Sequence, residues 1–122
     1  MLLDSNIIIY ASKPEHHALR RWIAAHASAV SAISYVEVLG FPKLTAHERV
    51  QLEAFFEAAQ VLPLSPPVLE EAVRLRQVRK MSLGDALIAG TALIHGLTLV
   101  THNVSDFTWV ADLMILNPVT QT

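Results

Sequence analysis

The sequence contains no cysteine, which excludes disulfide bridges and thiolate metal sites and leaves a reducing compartment open. Glycine is also rare, with four residues in 122, and neither a Walker phosphate loop nor a Gly-x-Gly-x-x-Gly dinucleotide turn is present. The Gly-x-Ser-x-Gly elbow of many serine hydrolases is missing as well. These absences argue against thiolate, nucleotide-loop and serine-hydrolase chemistry.

Charged residues are scarce and make up 16% of the chain, against 52% hydrophobic residues, a balance typical of a packed globular protein. The net charge of −2 provides no overall basic field, so a polyanionic ligand must be held by a local patch or by a metal ion. The length suits one compact domain, and we expect a single domain spanning residues 1–122. The N-terminus lacks the features of a secretory signal, so we expect a cytoplasmic protein.

One stretch, residues 86–105, contains no Asp, Glu, Lys or Arg and approaches the length of a membrane span. It is interrupted by glycine, histidine and asparagine, and its character changes at Gly96 from helix-like to strand-like. We therefore interpret it as a buried helix followed by a buried strand, and we expect no membrane association.

Short apolar segments alternate along the chain with longer segments of helical periodicity. Strands are expected at Leu2–Asp4, around Val30, at Val61–Leu64, at Leu97–Val100 and at Met114–Leu116. Helices are expected after Ser5, near Pro14, at Ile33–Leu39, after Thr45 with Glu48 completing a capping box, after Pro66, and at Asp85–His95. This alternation predicts a three-layer α/β/α sandwich whose central, mainly parallel sheet has about five short strands, with ligands bound beyond the strands' carboxyl ends.

Four acidic residues lie among apolar or small uncharged neighbours, where an ionised carboxylate removed from water is strongly penalised. They are Asp4, Glu37, Asp85 and Asp106. All except Glu37 are expected near the carboxyl edge of the sheet. Oxygen-only ligation suits Mg²⁺ or Mn²⁺, and such an ion offsets the repulsion between carboxylates and can activate water for attack on a phosphate ester. The four acids therefore predict metal-dependent phosphodiester chemistry.

Each of these acids also has a structural interpretation. Asp4 could cap the helix that follows it, and Ser82-Leu-Gly-Asp85 has the spacing of a capping box. Asn103-Val-Ser-Asp106 has the same spacing. Glu37 could simply lie on an exposed helix face, although the segment around it carries no other charge.

Four motifs, in order along the chain, resemble those of the PIN-domain ribonucleases, specifically the VapC-type toxins of bacterial and archaeal toxin–antitoxin pairs. They are Leu3-Asp4-Ser5-Asn6, Ser34-Tyr-Val-Glu37, Gly84-Asp-Ala-Leu-Ile-Ala89 and Leu99-Val-Thr-His-Asn-Val-Ser-Asp-Phe107. The resemblance implies a PIN-like fold and endonucleolytic RNA hydrolysis dependent on Mg²⁺ or Mn²⁺. It also implies a homodimer and a cognate antitoxin that blocks the site.

The resemblance assigns roles to individual positions. Asp4, Glu37, Asp85 and Asp106 match the family's catalytic and metal-binding acids, with Asp4 and Asp85 as the most direct ligands. Accessory polar positions are matched by Ser5, Asn6, Thr101 and Asn103. His102 stands where many relatives carry arginine, which puts one basic substrate contact in doubt.

A basic cluster runs directly into the segment of Asp85 and could contact the RNA backbone, or could simply suit the dipole of a solvated helix end. It consists of Arg74, Arg76, Arg79 and Lys80, and His102 is a further possible RNA contact. Trp109, like the other large aromatic residues, is expected in the core or in a dimer contact rather than as a platform on which bases stack. The alternatives to a ribonuclease are a catalytically silent PIN-like module that binds RNA or protein, a receiver-like phospho-acceptor and a DNA nuclease.

Overall fold

The computed structural model describes residues 1–26 and 28–121. Its strands are β1 (Leu2–Leu3), β2 (Ala29–Ser31), β3 (Gln60–Leu62), β4 (Leu99–Val100) and β5 (Ile115–Leu116). Its α-helices are α1 (Ser5–Ala11), α2 (His17–Ala25), α3 (Ala32–Leu39), α4 (Ala46–Ala58), α5 (Pro66–Val78) and α6 (Leu83–His95). Short 3₁₀ turns occupy Val104–Asp106 and Pro118–Gln121.

The strands form one sheet in the order β3-β2-β1-β4-β5, and every neighbouring pair is parallel. β1 lies in the middle, where Leu2 N–H donates to Thr98 O at 2.8 Å and Asp4 N–H donates to Val100 O at 2.9 Å. The chain builds the sheet outward from β1 in one direction and then returns to build it in the other. The boundary between β1 and β4 is therefore a topological switch point, where open α/β sheets bind their ligands.

The two faces of the sheet bury separate hydrophobic cores, because successive side chains of a strand point to opposite faces. Leu2 and Leu99 face a core closed by α5 and α6, whereas Leu3 and Val100 face a core closed by α1 to α4. Each of these four side chains is fully buried, and such burial contributes about 1.5–3 kcal/mol per large aliphatic side chain. The predicted three-layer α/β/α sandwich with a parallel sheet of five strands is confirmed.

Helix ends follow from local side-chain chemistry. Thr45 and Glu48 form the complete predicted capping box of α4, and Ser31 accepts a hydrogen bond from Ile33 N–H at the start of α3. The helix expected near Pro14 begins only at His17. The reason is that Arg20 donates to Ala11 O and Lys13 O at 2.9 and 2.6 Å, which holds the intervening residues in a turn.

The uncharged stretch of residues 86–105 divides, as predicted, between α6 and β4. α6 ends at Gly96, whose φ of 63° is a left-handed conformation that glycine adopts without strain. Across the described ranges, every helix falls short of the length and apolar character needed to cross a bilayer.

Candidate active site

The four predicted acids come from four different elements and converge beside the switch point. Asp4 follows β1, Glu37 lies in α3, Asp85 is in the first turn of α6, and Asp106 ends the 3₁₀ turn after β4. Their charges interact, since the pKa of Asp85 is raised by the negative charges of Asp4, Asp106 and Glu37 in addition to burial. A parallel sheet thus assembles one acidic site from residues far apart in the sequence.

Asp4 is the buried member of the set, with 2% of its surface exposed. The Thr101 hydroxyl donates to its Oδ2 at 2.7 Å, and Asn103 N–H donates to Thr101 Oγ1 at 3.0 Å. Burial raises the pKa of Asp4, while hydrogen bonds from Thr101 and from the backbone of Ser5 oppose that rise. Asp4 occupies the N-cap position of α1, yet its side chain makes none of the hydrogen bonds to the second or third helical N–H that define a cap, and its backbone donor is the adjacent Ser5. The capping interpretation therefore does not explain this carboxylate.

Asp85 is half-buried, and its pKa is raised to about 6. Burial is the largest cause, followed by the charges of Asp4, Asp106 and Glu37, while a hydrogen bond with Ser82 lowers the pKa. The capping interpretation holds for the backbone, because Asp85 N–H donates to Ser82 Oγ at 3.1 Å. The capping interpretation does not explain why the Asp85 carboxylate lies near those of Asp4, Asp106 and Glu37.

Glu37 is exposed, and so is Asp106, which corrects the expectation that all four acids are withdrawn from water. Several of their uncharged neighbours, including Val36 and Ser105, are exposed as well, and only Asp4 among the four is fully buried. Glu37 is nevertheless held in place. The Ser5 hydroxyl donates to its Oε1 at 2.7 Å and is itself 2.9 Å from Ser34 Oγ.

Gly84 allows Glu37 to reach the start of α6. A Cβ atom on Gly84 would lie 2.2 Å from Glu37 Oε2, well inside van der Waals contact. The carboxylate of Glu37 therefore lies directly against the residue that precedes Asp85. A side chain at position 84 would therefore displace the Glu37 carboxylate, which is the end of a flexible and exposed side chain.

Asp106 and Asp85 share a cleft of about 210 Å³. The other lining residues are Arg79, Lys80, Met81, Ser82, Ser105 and Trp109. Asn103 makes no side-chain cap at the start of the 3₁₀ turn, so the capping interpretation of Asp106 lacks support. The cleft is polar and brings two cations to the two carboxylates.

The residues of the predicted basic cluster fall into two groups, those that line the acidic cleft and those that contact other parts of the chain. Arg79 and Lys80 line the acidic cleft, whereas Arg74 forms an ion pair with Glu71 and Arg76 donates to Met81 O at 3.3 Å. His102 lies edge-on to Tyr10, with ring centres 5.1 Å apart, and its charge affects the pKa of Asp4. Of the accessory residues, Ser5 and Thr101 contact site carboxylates directly, Asn103 contacts Thr101 through its backbone, and Asn6 is exposed.

The sequence did not single out three residues that shape this site. Ser34 contacts Ser5, and its position three residues before Glu37, on the same side of a helix, was an available signal. Gly84 was visible only as part of a motif. Trp109 packs against the core, as expected, and it also lines the cleft, which its position three residues after Asp106 could have indicated.

The donor chemistry fits a hard divalent cation, because two carboxylates with raised pKa values gain from a shared positive charge. Asp4 and Asp85 are the members of the set with this property. As the side chains stand in residues 1–26 and 28–121, no three groups of His, Asp or Glu lie close enough to surround one ion.

A larger cavity, of about 430 Å³, lies on the α1–α2–α4 side of the sheet. Its walls are mainly apolar and include Ile8, Ile23, Leu52 and Phe55, with no carboxylate among them. This apolar cavity is therefore separate from the acidic site.

The sequence matches the PIN domain family over residues 1–113. This chain belongs to the PIN domain family. It is 28% identical to the ribonuclease VapC1 of Rickettsia felis over 127 aligned positions, which cover 95% of this chain and 94% of the relative. The resemblance to VapC-type PIN domains is confirmed.

Solved structures also contain chains similar to this one. The chain is similar to one in a toxin–antitoxin complex from Klebsiella pneumoniae, at 29% identity and a TM-score of 0.77, covering 96% of both chains. It is also similar to one in VapBC-1 from nontypeable Haemophilus influenzae, at 26% identity and a TM-score of 0.74, covering 95% of this chain and 96% of the other.

Proposed function

We propose that this PIN domain is an endoribonuclease that uses Mg²⁺ or Mn²⁺ to hydrolyse RNA phosphodiester bonds, and that it acts as the toxin of a toxin–antitoxin pair. The observation that carries the proposal is the electrostatic convergence of four acids, with Asp85 under the influence of the other three. The relatedness to a ribonuclease VapC1 and to a chain of a toxin–antitoxin complex supports the substrate and the biological role.

Asp4 and Asp85 would hold the metal ion, and Glu37 and Asp106 would complete the ligand set directly or through water. A bound divalent ion supplies a Lewis acid for the phosphate and lowers the pKa of a coordinated water. The chain's own residues fix the acids in place. Thr101 orients Asp4 and Ser5 orients Glu37, each through a hydrogen bond of 2.7 Å.

The substrate must be attracted to a site with negative charge, and the basic residues at the end of α5 serve this purpose. We assign Arg79 and Lys80 as the inner RNA contacts because they line the cleft with Asp85 and Asp106. The remaining predicted contacts are assigned as outer ones, namely Arg74, Arg76 and His102. Asn6 and Asn103 are assigned as polar contacts to the substrate or to water at the site.

The proposal includes the assembly and location of the protein. We propose a single domain of residues 1–122, a homodimer, a cytoplasmic location and a cognate antitoxin that blocks the acidic site. The similarity to a chain of the Klebsiella pneumoniae complex supports the antitoxin. Co-expression with the cognate antitoxin should yield a stable complex that no longer cleaves RNA.

Asp4→Asn tests the catalytic assignment. We expect cleavage of labelled RNA, and growth arrest on induction, to be lost, while the unfolding temperature does not fall. The reason is that asparagine retains an acceptor for Thr101 but cannot supply the negative charge. Glu57→Gln, an exposed substitution on α4, is the matched control and should cleave normally.

Cleavage by Asp4→Asn at the wild-type rate would refute the assignment. Titration of the chelated protein with Mg²⁺ and Mn²⁺ separates the nuclease from a silent RNA-binding module, which would bind RNA under all conditions and cut it under none. Parallel assays with RNA and DNA of the same sequence identify the sugar that the site accepts.

A further inference from the structure

We propose that Arg79 and Trp109 form a nucleotide subsite for single-stranded RNA beside the acidic site. In this subsite, Arg79 contacts a backbone phosphate next to the scissile bond. The adjacent base stacks on the flat surface that the Arg79 guanidinium and the Trp109 ring form together. The inference rests on the proposed function, which supplies the RNA strand, but it concerns residues with no role in the chemical step.

The first support is the geometry of the pair. The guanidinium carbon of Arg79 lies 5.4 Å from the centre of the Trp109 ring, within the range of a cation–π interaction. Trp109 Nε1 donates to Asp106 O at 3.0 Å. The indole is thus tied to the turn that carries one of the site acids, and the Arg79 guanidinium lies over its ring.

The second support is the position of the pair. Arg79 and Trp109 both line the cleft of about 210 Å³ that also contains Asp85 and Asp106. Arg79 is the residue at which α5 ends, and its backbone is extended, with φ −156° and ψ 147°. This conformation directs the chain away from the helix axis and brings Lys80 to the same cleft.

The third support is that the cations of the cleft are available. In the part of the chain that the structure describes, Arg79 and Lys80 have no ion-pair partner, whereas Arg74, on the same helix, is paired with Glu71. Both side chains are exposed. An exposed guanidinium without a carboxylate partner, beside an aromatic ring, is a group that binds phosphate and carries a stacked base.

The chemistry of single strands favours this ligand over a duplex. Proteins that bind single-stranded nucleic acid combine cations along the backbone with flat groups on which unpaired bases stack. The cleft provides both, because Arg79 and Lys80 come from the turn before α6 and Trp109 follows the 3₁₀ turn after β4.

Tryptophan fluorescence tests the inference directly, because the sequence contains only two tryptophans. Trp22→Phe leaves Trp109 as the sole indole, and Trp109→Phe leaves Trp22, which packs against His26 on α2. A single-stranded RNA oligonucleotide is titrated into each variant in EDTA, so that no cleavage occurs. We expect a saturable change in emission from Trp22→Phe and none from Trp109→Phe.

Substitution of Arg79 provides a second measurement that does not depend on the stability of the core. Arg79→Ala should weaken binding at least about fivefold and should reduce the slope of log affinity against log salt by about 0.7, the value for one phosphate contact on a single strand. Arg79→Lys should restore the salt slope but not the full affinity, because lysine retains the positive charge but lacks the flat guanidinium on which a base can stack. Arg49→Ala, an exposed arginine on α4, is the control and should change neither.

The outcomes separate the subsite from the proposed function. An unchanged emission of Trp109 at every RNA concentration at low salt, or equal binding by Arg79→Ala and Arg49→Ala, would overturn the subsite even if the wild-type protein cuts RNA. A response of Trp109 together with weakened binding by Arg79→Ala supports it. If the wild-type protein then fails to cleave in Mg²⁺ and Mn²⁺, the nuclease assignment is wrong and the subsite stands as an RNA-binding one.

Discussion

Asp85→Asn should stabilise the metal-free protein at neutral pH while abolishing RNA cleavage. Asp85 is half-buried and faces the negative charges of Asp4, Asp106 and Glu37, so its ionised form is unfavourable in the folded chain. Asparagine removes one of the four charges and keeps the size of the side chain. The stability gained and the activity lost would thus have the same electrostatic origin.

The magnitude follows from the two pKa values of Asp85. The unfolded chain releases the proton at the ordinary pKa of 3.8, whereas the folded chain retains it up to about 6. The folded state therefore binds more protons between these values, and its free energy of unfolding falls as the pH rises through that window. The full difference corresponds to about 3 kcal/mol at 1.36 kcal/mol per pH unit.

Two corrections reduce this value. Asp85 is only half-buried, so solvent screening lowers the penalty to roughly 1–2 kcal/mol. A carboxylate in the first turn of α6 also interacts favourably with the helix dipole, and its loss costs roughly 0.3–1 kcal/mol. We expect a net stabilisation of about 1 kcal/mol at pH 7, equivalent to an increase of roughly 3–6 °C in Tm for a chain of this size.

Thermal unfolding followed by circular dichroism in EDTA, from pH 4 to pH 8, measures the effect. The difference in Tm between Asp85→Asn and the wild-type protein should grow between pH 4 and pH 6 and level off above pH 7. Glu57→Gln, an exposed change on α4, should show no such trend. A variant less stable than the wild type at pH 7, or a difference independent of pH, would refute the reasoning. Added Mg²⁺ should stabilise the wild type more than the variant, because ligand binding favours the state that binds it.

Two further substitutions test other parts of the structure. Gly84→Ala should displace the carboxylate of Glu37 and reduce cleavage by about 10–100-fold. Its Tm should be unchanged or raised, because alanine suits a helix better than glycine. In a Glu37→Ala background the same change should have no further effect on kcat/KM, and an additive loss would contradict the contact between Gly84 and Glu37. Lys13→Met should lower the free energy of unfolding above pH 4.5, and the difference from the wild type should vanish as the pH falls through about 2. The reason is that the hydrogen bond from Lys13 holds the pKa of Glu48 at about 2, so the pair contributes its full stability only above pH 4.5. In the variant, acid unfolding followed by circular dichroism should begin at a higher pH, and an unchanged acid transition would show that the pair does not contribute.

The architecture could be predicted because each strand is a short apolar run between helical segments, and such alternation has few compact solutions. Strand ends could not be predicted as well. Leu97 was expected in the fourth strand, but its N–H donates to Ala92 O at 2.9 Å and completes the end of α6 instead. The third strand was expected to reach Leu64 but ends at Leu62, before Pro63, which has no N–H for the ladder.

The identities of the acids in the site could be predicted because they interrupt uncharged segments. Their burial could not, because burial depends on how distant elements pack. Glu37 and Asp106 have apolar neighbours in sequence and are exposed in the fold. The contact between Gly84 and Glu37 and the stacking of Arg79 on Trp109 join separate elements, and neither has a local pattern that would reveal it.

The central place of β1 has a consequence for biosynthesis. β1 acquires its neighbour β4 only after α6 has been translated, and Asp106, which follows β4, is the last of the four acids to be added. The nascent polypeptide therefore lacks a complete set of site acids for most of its synthesis. An enzyme with the proposed activity, translated from a messenger of the kind that it attacks, would by this topology remain harmless to its own template until the final third of the chain had emerged.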